Sequence, residues 1–152
     1  MNNSSDIVVW EESFATGIPY IDNQHKELIK LTNDLYHACL GGEEKMEAGF
    51  KDAMHRMVEY VRFHFSSELK LLKKIKYPSY DDHKTEHDSL VRKILDAVKE
   101  YEAGKKYVPN SFVRTLKDWV FGHIAVMDKK YAAYVAGQLA KGLLSGKDIE
   151  GP

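Results

Sequence analysis

The sequence predicts an all-α protein, an up-down-up-down four-helix bundle preceded by an extended N-terminal arm. Long stretches of the chain repeat apolar residues at alternating intervals of three and four, which is typical of helices that pack in a bundle. Proline and glycine gather mostly at a few places between those stretches. We find no strand pattern, and the short connections favour antiparallel neighbours.

A chain of 152 residues is long enough to bury the core of one domain. We therefore expect a single domain over residues 1–152. Within it, the arm covers 1–21, the bundle about 22–139 and a C-terminal tail about 140–152. The tail is expected to be a frayed continuation of the last helix or a short extra helix.

The first two predicted helices meet at the sequence GGEE. We expect Asp22 to cap the first helix, which runs to about Cys39. The second helix should begin near Glu44 and end near Ile75. Its apolar positions form the seam of a bundle helix.

The third and fourth helices each follow a loop. KYPSY ends the second helix, because a proline disfavours helical conformation at the residue before it, here before Pro78. Ser79 is the expected cap of the third helix. The loop AGKKYVPNS precedes the fourth helix, which we expect Asn110 or Ser111 to cap and which continues towards Leu139.

Composition excludes several classes of function. Lys and Arg number 22 against 23 Asp and Glu, so no basic excess indicates a nucleic-acid partner. No run of 18 apolar residues predicts a membrane span, and the N-terminus lacks the pattern of a signal peptide. Cys39 is the only cysteine, which excludes an intrachain disulfide and argues against a thiolate metal cluster. The expected compartment is the cytoplasm.

Histidine is the unusual residue, with seven in the chain. His64 and Glu68 are four residues apart, as are His83 and His87, so each pair shares one face of a helix. This spacing alone is usual for a solvated face. Here each pair continues an apolar stripe, where a polar group is unfavourable unless it is paired or bound to a metal.

The remaining histidines divide into two sets. His25 and His123 also lie on helix seams, so five imidazoles are predicted to face the bundle interior. Separately hydrogen-bonded core histidines are the alternative, and the number of inward imidazoles favours a metal site over it. His55 lies about 180° from His64 and His37 about 120° from His25, so both are expected at the surface.

Carboxylates are the second kind of ligand that such a metal site would use. Glu68 faces inward beside His64. Asp128 follows His123 by five residues, which corresponds to about 140° on a regular helix. Either the helix contains a π-type turn there, or Asp128 is an ordinary surface residue. Periodicity leaves this choice open.

Four motifs carry a resemblance to a known family. They are GIPYIDNQHKEL around His25, HFSSE from His64 to Glu68, YPSYDDHKTEH ending at His87, and WVFGHIAVMDKKY around His123 and Asp128. In these motifs, which span roughly residues 10–134, the chain resembles the bacterial hemerythrins. That family consists of non-haem di-iron proteins that bind dioxygen in a four-helix bundle. Its HxxxxD spacing implies that Asp128 is a metal ligand.

The resemblance implies a pair of iron ions (Fe2+/Fe3+) as the cofactor. One iron would be held by His83, His87 and His123 and the other by His25 and His64, with Glu68 and Asp128 bridging both. A bridging oxo or hydroxo group completes the set. The iron held by two histidines then keeps one open position, where dioxygen can bind.

The family also implies a dry apolar pocket beside that position. Its expected lining is Leu28, Phe65, Trp119, Val120 and Ile124. Plain core packing is the alternative for each of these residues, and the two interpretations do not conflict.

The implied function is reversible dioxygen binding for storage, delivery, scavenging or sensing, without an enzymatic activity. Three alternatives stay open: a redox sensor, a di-iron enzyme that acts on nitric oxide or peroxide, and a zinc or manganese site. Dioxygen is the expected ligand, and a sensor would need a redox or signalling partner. We expect no nucleic-acid or membrane partner, and a monomer or weak homo-oligomer.

Overall fold

The computed structural model describes residues 6–40, 42–105 and 108–151. Its main helices are α1 (Pro19–Leu40), α2 (Glu43–Lys74), α3 (Tyr80–Glu102), α4 (Val108–Trp119) and α5 (Asp128–Ala140). A π-helical segment, Val120–Met127, joins α4 to α5, so these three pieces form the fourth helix of the bundle. Short 3-10 helices lie at Glu12–Phe14 in the arm and Gly146–Ile149 in the tail.

The predicted fold class is therefore confirmed. The described part of the chain is helical and contains no strand. Neighbouring bundle helices are separated by only a few residues, as an up-and-down bundle requires. None of the described helices is both long and apolar enough to cross a membrane.

Two helix starts differ from the prediction. Helix α1 begins at Pro19, whose fixed φ suits the first turn, and Asp22 lies inside that turn. Its carboxylate accepts hydrogen bonds from the Thr16 backbone N–H and hydroxyl, both at 2.8 Å, and so holds the arm against the helix. Helix α4 begins at Val108, ahead of both predicted caps, Asn110 and Ser111.

The other boundaries lie within one residue of the expected ones. Ser79 is the N-cap of α3, although its side chain makes no capping hydrogen bond. The tail forms a short 3-10 helix beyond α5, as one of the two expectations had it. Residues 1–5 of the predicted arm and residue 152 of the predicted tail lie outside the described residues.

The turn between α2 and α3 contains a strained residue. Lys76 has φ of +56°, in the left-handed region that favours glycine. The Lys76 N–H donates to the Lys73 carbonyl and the Tyr77 N–H to the Leu72 carbonyl, the two bonds of a Schellman motif. This turn reverses the chain between the pair His64 and Glu68 on α2 and the pair His83 and His87 on α3.

Two apolar clusters fill the bundle. The larger contains Leu28, Phe65, Leu90 and Ile124 among its members. The smaller contains Ile21, Leu72, Tyr131 and Val135. On α1, α2 and the fourth helix, the predicted metal ligands lie between residues of one cluster and residues of the other. The polar layer is thus enclosed by apolar side chains at both ends.

Candidate metal centre

The seven residues predicted as metal ligands come together in one buried layer. Each is at most 2% exposed. They come from all four bundle helices: His25 from α1, His64 and Glu68 from α2, His83 and His87 from α3, and His123 and Asp128 from the fourth helix. Helix periodicity predicted an inward position for all of them except Asp128, whose position it left open.

Four of these residues form one group of donors: Glu68, His83, His87 and His123. One ligand atom from each lies within 4.8 Å of the others. The Nε2 atoms of His87 and His123 are 3.1 Å apart, and His83 Nε2 is 3.1 Å from Glu68 Oε1. Three imidazoles and a carboxylate oxygen therefore surround one point.

A second group consists of His25, His64 and again Glu68. His64 Nε2 lies 2.9 Å from Glu68 Oε2, and the His25 and His64 rings meet edge to face with centroids 4.8 Å apart. Glu68 thus belongs to both groups, with Oε1 beside His83 and Oε2 beside His64.

Asp128 also faces both groups. Its Oδ1 lies 2.9 Å from His123 Nε2 and 3.3 Å from His83 Nε2. Its Oδ2 lies 3.0 Å from His25 Nε2. The π-helical segment makes this possible, because the Asp128 N–H donates to the carbonyl of His123, five residues earlier.

These contacts do not form an ordinary hydrogen-bond network. His25 Nε2, His64 Nε2 and both oxygens of Asp128 are buried without a hydrogen-bond partner among the described residues. Burying unpartnered polar atoms is unfavourable by about 1–3 kcal/mol each. Two ligands at right angles on a metal with bonds of about 2.1 Å lie about 3.0 Å apart. The observed separations match that arrangement.

The surroundings of Glu68, His64 and His87 favour the protonation states that bind metal, whereas Asp128 and Glu68 raise the pKa values of His25 and His123 despite their burial. Burial favours the neutral acid of Glu68, but the imidazoles of His64, His83 and His87 beside the carboxylate outweigh it and hold the Glu68 pKa well below its usual range. Burial lowers the pKa of His64 and lowers that of His87 to about 4, despite the opposing influence of Glu68. A carboxylate and neutral imidazoles are the ligand forms that metals require.

Two of the five predicted pocket residues lie against the same centre. Phe65 stacks on His87 with ring centroids 3.7 Å apart and planes inclined by 3°. Trp119 stacks on His123 at 4.3 Å and 11°. The other three, Leu28, Val120 and Ile124, are buried members of the larger apolar cluster.

The two histidines predicted to be peripheral lie away from the centre. His55 is exposed on α2. His37 is partly exposed, and its Nε2 lies 2.9 Å from Asp6 Oδ1 of the arm. The inward and outward assignment made from helix periodicity therefore holds for all seven histidines.

Sequence reasoning missed two residues at the centre. Gln24, immediately before His25, is buried and its Oε1 lies 2.8 Å from His64 Nδ1. Tyr131 is fully buried against the His83 ring, and its hydroxyl has no hydrogen-bond partner among the described residues. Burial, together with the charges of Glu68 and Asp128, raises the Tyr131 pKa well above its usual value. Tyr131 could have been found from its spacing, three residues after Asp128 on one helix face.

Comparison with known proteins agrees with this geometry. The family model described as the Hemerythrin HHE cation binding domain matches residues 16–135. The chain belongs to the hemerythrin family. It is 32% identical over 126 residues to a bacteriohemerythrin of Methylococcus capsulatus, covering 82% of this chain and 94% of the relative.

Other hemerythrins give the same result. A bacteriohemerythrin of Clostridium acetobutylicum is 32% identical over 130 residues, covering 81% of this chain and 97% of the relative. The crystal structure of a wild-type hemerythrin superposes with a TM-score of 0.74 at 30% identity, covering 84% of this chain and 96% of that one. The family and the buried donor set together indicate a non-haem iron site.

Proposed function

We propose that this hemerythrin binds dioxygen reversibly at two carboxylate-bridged irons. His83, His87 and His123 would hold one iron and His25 and His64 the other, with Glu68 and Asp128 bridging them. The observation that carries the proposal is the pair of donor groups with Glu68 in common and one Asp128 oxygen beside each. Two carboxylates placed in this way suit two adjacent metals.

The number of donors supports a site with one free position. The five imidazoles and two bridging carboxylates supply nine of the twelve positions that two six-coordinate irons offer. A bridging oxo or hydroxo group would fill two more. The remaining position would be on the iron that His25 and His64 hold, and a reduced iron pair there would supply the two electrons for reversible binding of dioxygen.

The surrounding side chains would keep this position dry. Leu28, Val120 and Ile124 present only hydrocarbon, and each is at most 3% exposed. The rings of Phe65 and Trp119 cover two imidazoles of the other group. Excluding water from the centre limits the irreversible oxidation of reduced iron, which a reversible oxygen binder must avoid.

The kind of ligand favours a carrier over an oxygen-activating enzyme. Ferritin-like di-iron sites use four carboxylates and two histidines from Glu-x-x-His motifs. Here five imidazoles, which carry no negative charge, and two carboxylates form the set. Because fewer anions stabilise ferric and higher-valent iron less, this set favours the reduced, oxygen-binding state.

The proposal is tested by loading the protein with Fe2+ under argon and counting iron per chain. Cycles of air and argon are then followed in the visible spectrum. We expect two irons per chain and a charge-transfer band that appears and disappears reversibly. Irreversible bleaching with turnover of a reductant would indicate an enzyme instead, and an iron content well below two would overturn the di-iron assignment.

Matched variants control for nonspecific binding. His123→Ala removes a buried donor and should greatly reduce the iron content. His55→Ala and His37→Ala alter histidines outside the centre and should leave iron content and the spectral cycle unchanged. Similar losses in all three variants would contradict the assignment of ligands.

A further inference from the structure

One contact beside the metal centre is not explained by the metal ligands alone. Gln24 is 8% exposed and lies on α1, and its Oε1 is 2.8 Å from Nδ1 of His64 on α2. An amide oxygen accepts hydrogen bonds but cannot donate them. With the amide in this orientation, Nδ1 of His64 carries the proton, which leaves the lone pair on Nε2.

This tautomer is the one that a metal needs. His64 Nε2 points to the centre, 2.9 Å from Glu68 Oε2, and has no hydrogen-bond partner there. A lone pair on Nε2 is thus directed to the point that His25 and Glu68 also face.

His64 differs in this respect from the other inward histidines. The Nδ1 atoms of His25, His83, His87 and His123 are buried without a hydrogen-bond partner in the part of the chain that the structure describes. Ring orientation and tautomer are therefore fixed by a side chain at His64 alone among the five. His64 belongs to the group of two histidines, where the open position is expected.

The chemical type of the acceptor also matters. A carboxylate in the place of Gln24 would draw the Nδ1 proton towards itself and make the imidazole a stronger electron donor to the metal. A neutral amide holds the same geometry with less donation. Less donation favours Fe2+ over Fe3+.

We propose that Gln24 is a positioning residue for His64, and that its neutral amide keeps the iron pair in the reduced state that binds dioxygen. This inference rests on the proposed function. It adds a residue that sets how readily the centre is oxidised, through a hydrogen bond and not through contact with the metal.

Two substitutions at Gln24 separate this role from simple packing. Gln24→Glu keeps the hydrogen-bond acceptor and makes it anionic, whereas Gln24→Leu keeps the size and removes the acceptor. Gln138→Glu is the matched control, because Gln138 lies on α5 and its amide donates to the Tyr134 hydroxyl at 3.4 Å instead of to an imidazole. Each protein is loaded with iron, its iron content is counted, and its midpoint potential is measured by spectroelectrochemistry.

We expect opposite effects from the two variants. Gln24→Glu should bind iron but shift the preference towards Fe3+ roughly tenfold, which lowers the potential by about 59 mV for one electron. Gln24→Leu should bind iron about 10–100-fold more weakly and raise the potential. Gln138→Glu should match the wild type. If the midpoint potentials of both Gln24 variants shift in the same direction, or do not shift, the inference is overturned.

The tautomer is checked without any metal. In the ¹⁵N-labelled metal-free protein, we expect the imidazole shifts of His64 to show a proton on Nδ1, and Gln24→Leu to change them. A proton on Nε2 in the wild type would contradict the proposed orientation of the amide. If the wild type binds two irons but the Gln24 variants behave alike, this inference fails while the proposed function stands. If the wild type binds no iron pair, both fail.

Discussion

Oδ1 of Asp128 lies 2.9 Å from Nε2 of His123, although five residues separate the two in the chain. On a regular helix this spacing would turn the side chains about 140° apart. The hydrogen bond from the Asp128 N–H to the His123 carbonyl spans five residues instead of four and brings the two onto one face. The π-helical segment thus supplies the second carboxylate of the centre.

The first prediction concerns iron stoichiometry. Glu68 contributes to both donor groups, whereas His25 belongs to only one of them. We therefore expect Glu68→Ala to lose nearly all iron and His25→Ala to retain about one iron per chain. Metal analysis after anaerobic loading measures both, with circular dichroism to verify folding. A Glu68→Ala protein that keeps two irons would show that Glu68 is not required as a ligand common to the two groups.

The second prediction exchanges residues at two Schellman motifs. Lys76 occupies a left-handed position with φ of +56°, and Gly104 occupies the equivalent one after α3 with φ of +87°. Lys76→Gly should raise the free energy of unfolding by about 1 kcal/mol, and Gly104→Ala should lower it by about 1–2 kcal/mol.

Urea denaturation of the metal-free proteins measures both changes. Neither position contributes to the centre, so iron content should stay at the wild-type value in both variants. A loss of stability in Lys76→Gly would mean that the Lys76 side chain stabilises the turn by more than its backbone strain.

The third prediction concerns pH and the metal-free protein. Burial is the main reason that the His87 pKa falls to about 4, while an unfolded chain titrates near 6.5. As the pH drops from about 6.5 to 4, His87 therefore becomes protonated in the unfolded chain but stays neutral in the folded protein. The contribution of His87 to the free energy of unfolding is therefore fully present above about pH 6.5 and is lost as the pH falls towards 4.

The effect at His87 should amount to about 2 kcal/mol between pH 7 and pH 5. His25 and His123 have raised pKa values and act in the opposite direction, so the contribution must be isolated by a variant. We expect the unfolding free energy of the wild type to fall by about 2 kcal/mol more than that of His87→Gln over this range. Parallel pH profiles for the two proteins would contradict a depressed His87 pKa.

The fourth prediction compares two tyrosine hydroxyls. The Tyr131 hydroxyl is buried without a partner, whereas the Tyr134 hydroxyl donates to the Ile75 carbonyl at 3.2 Å. In the metal-free protein, Tyr131→Phe should raise the free energy of unfolding by about 1 kcal/mol and Tyr134→Phe should lower it by about 1 kcal/mol. Thermal and urea denaturation measure both. Destabilisation by Tyr131→Phe would mean that its hydroxyl has a partner in solution.

Much of this architecture follows from apolar periodicity. The seams of the helices place His25, His64 and His123 in the interior and His37 and His55 outside it, because a side chain's direction on a regular helix depends only on its spacing. The four-residue pairs on α2 and α3 follow for the same reason. The fold class was therefore predictable from periodicity and the family from the resemblance of four motifs, and both are confirmed.

The remaining features depend on contacts that spacing does not contain. Asp128 required a departure from the regular helix, and only the resemblance to hemerythrins indicated it beforehand. The starts of α1 and α4 were wrong because Pro19 and Val108 begin helices ahead of the polar residues expected to cap them. Gln24 is recognisable only once α1 and α2 are packed together, since its partner lies 40 residues away.

The π-helical segment also sets the angular phase of everything that follows it. Deleting one residue within 120–127 would turn α5 by about 100° relative to α4. The same rotation would turn Tyr131 and Val135 out of the smaller apolar cluster and would move Asp128 away from His123. Insertions and deletions should therefore be tolerated in the loops of this bundle but not in these eight residues.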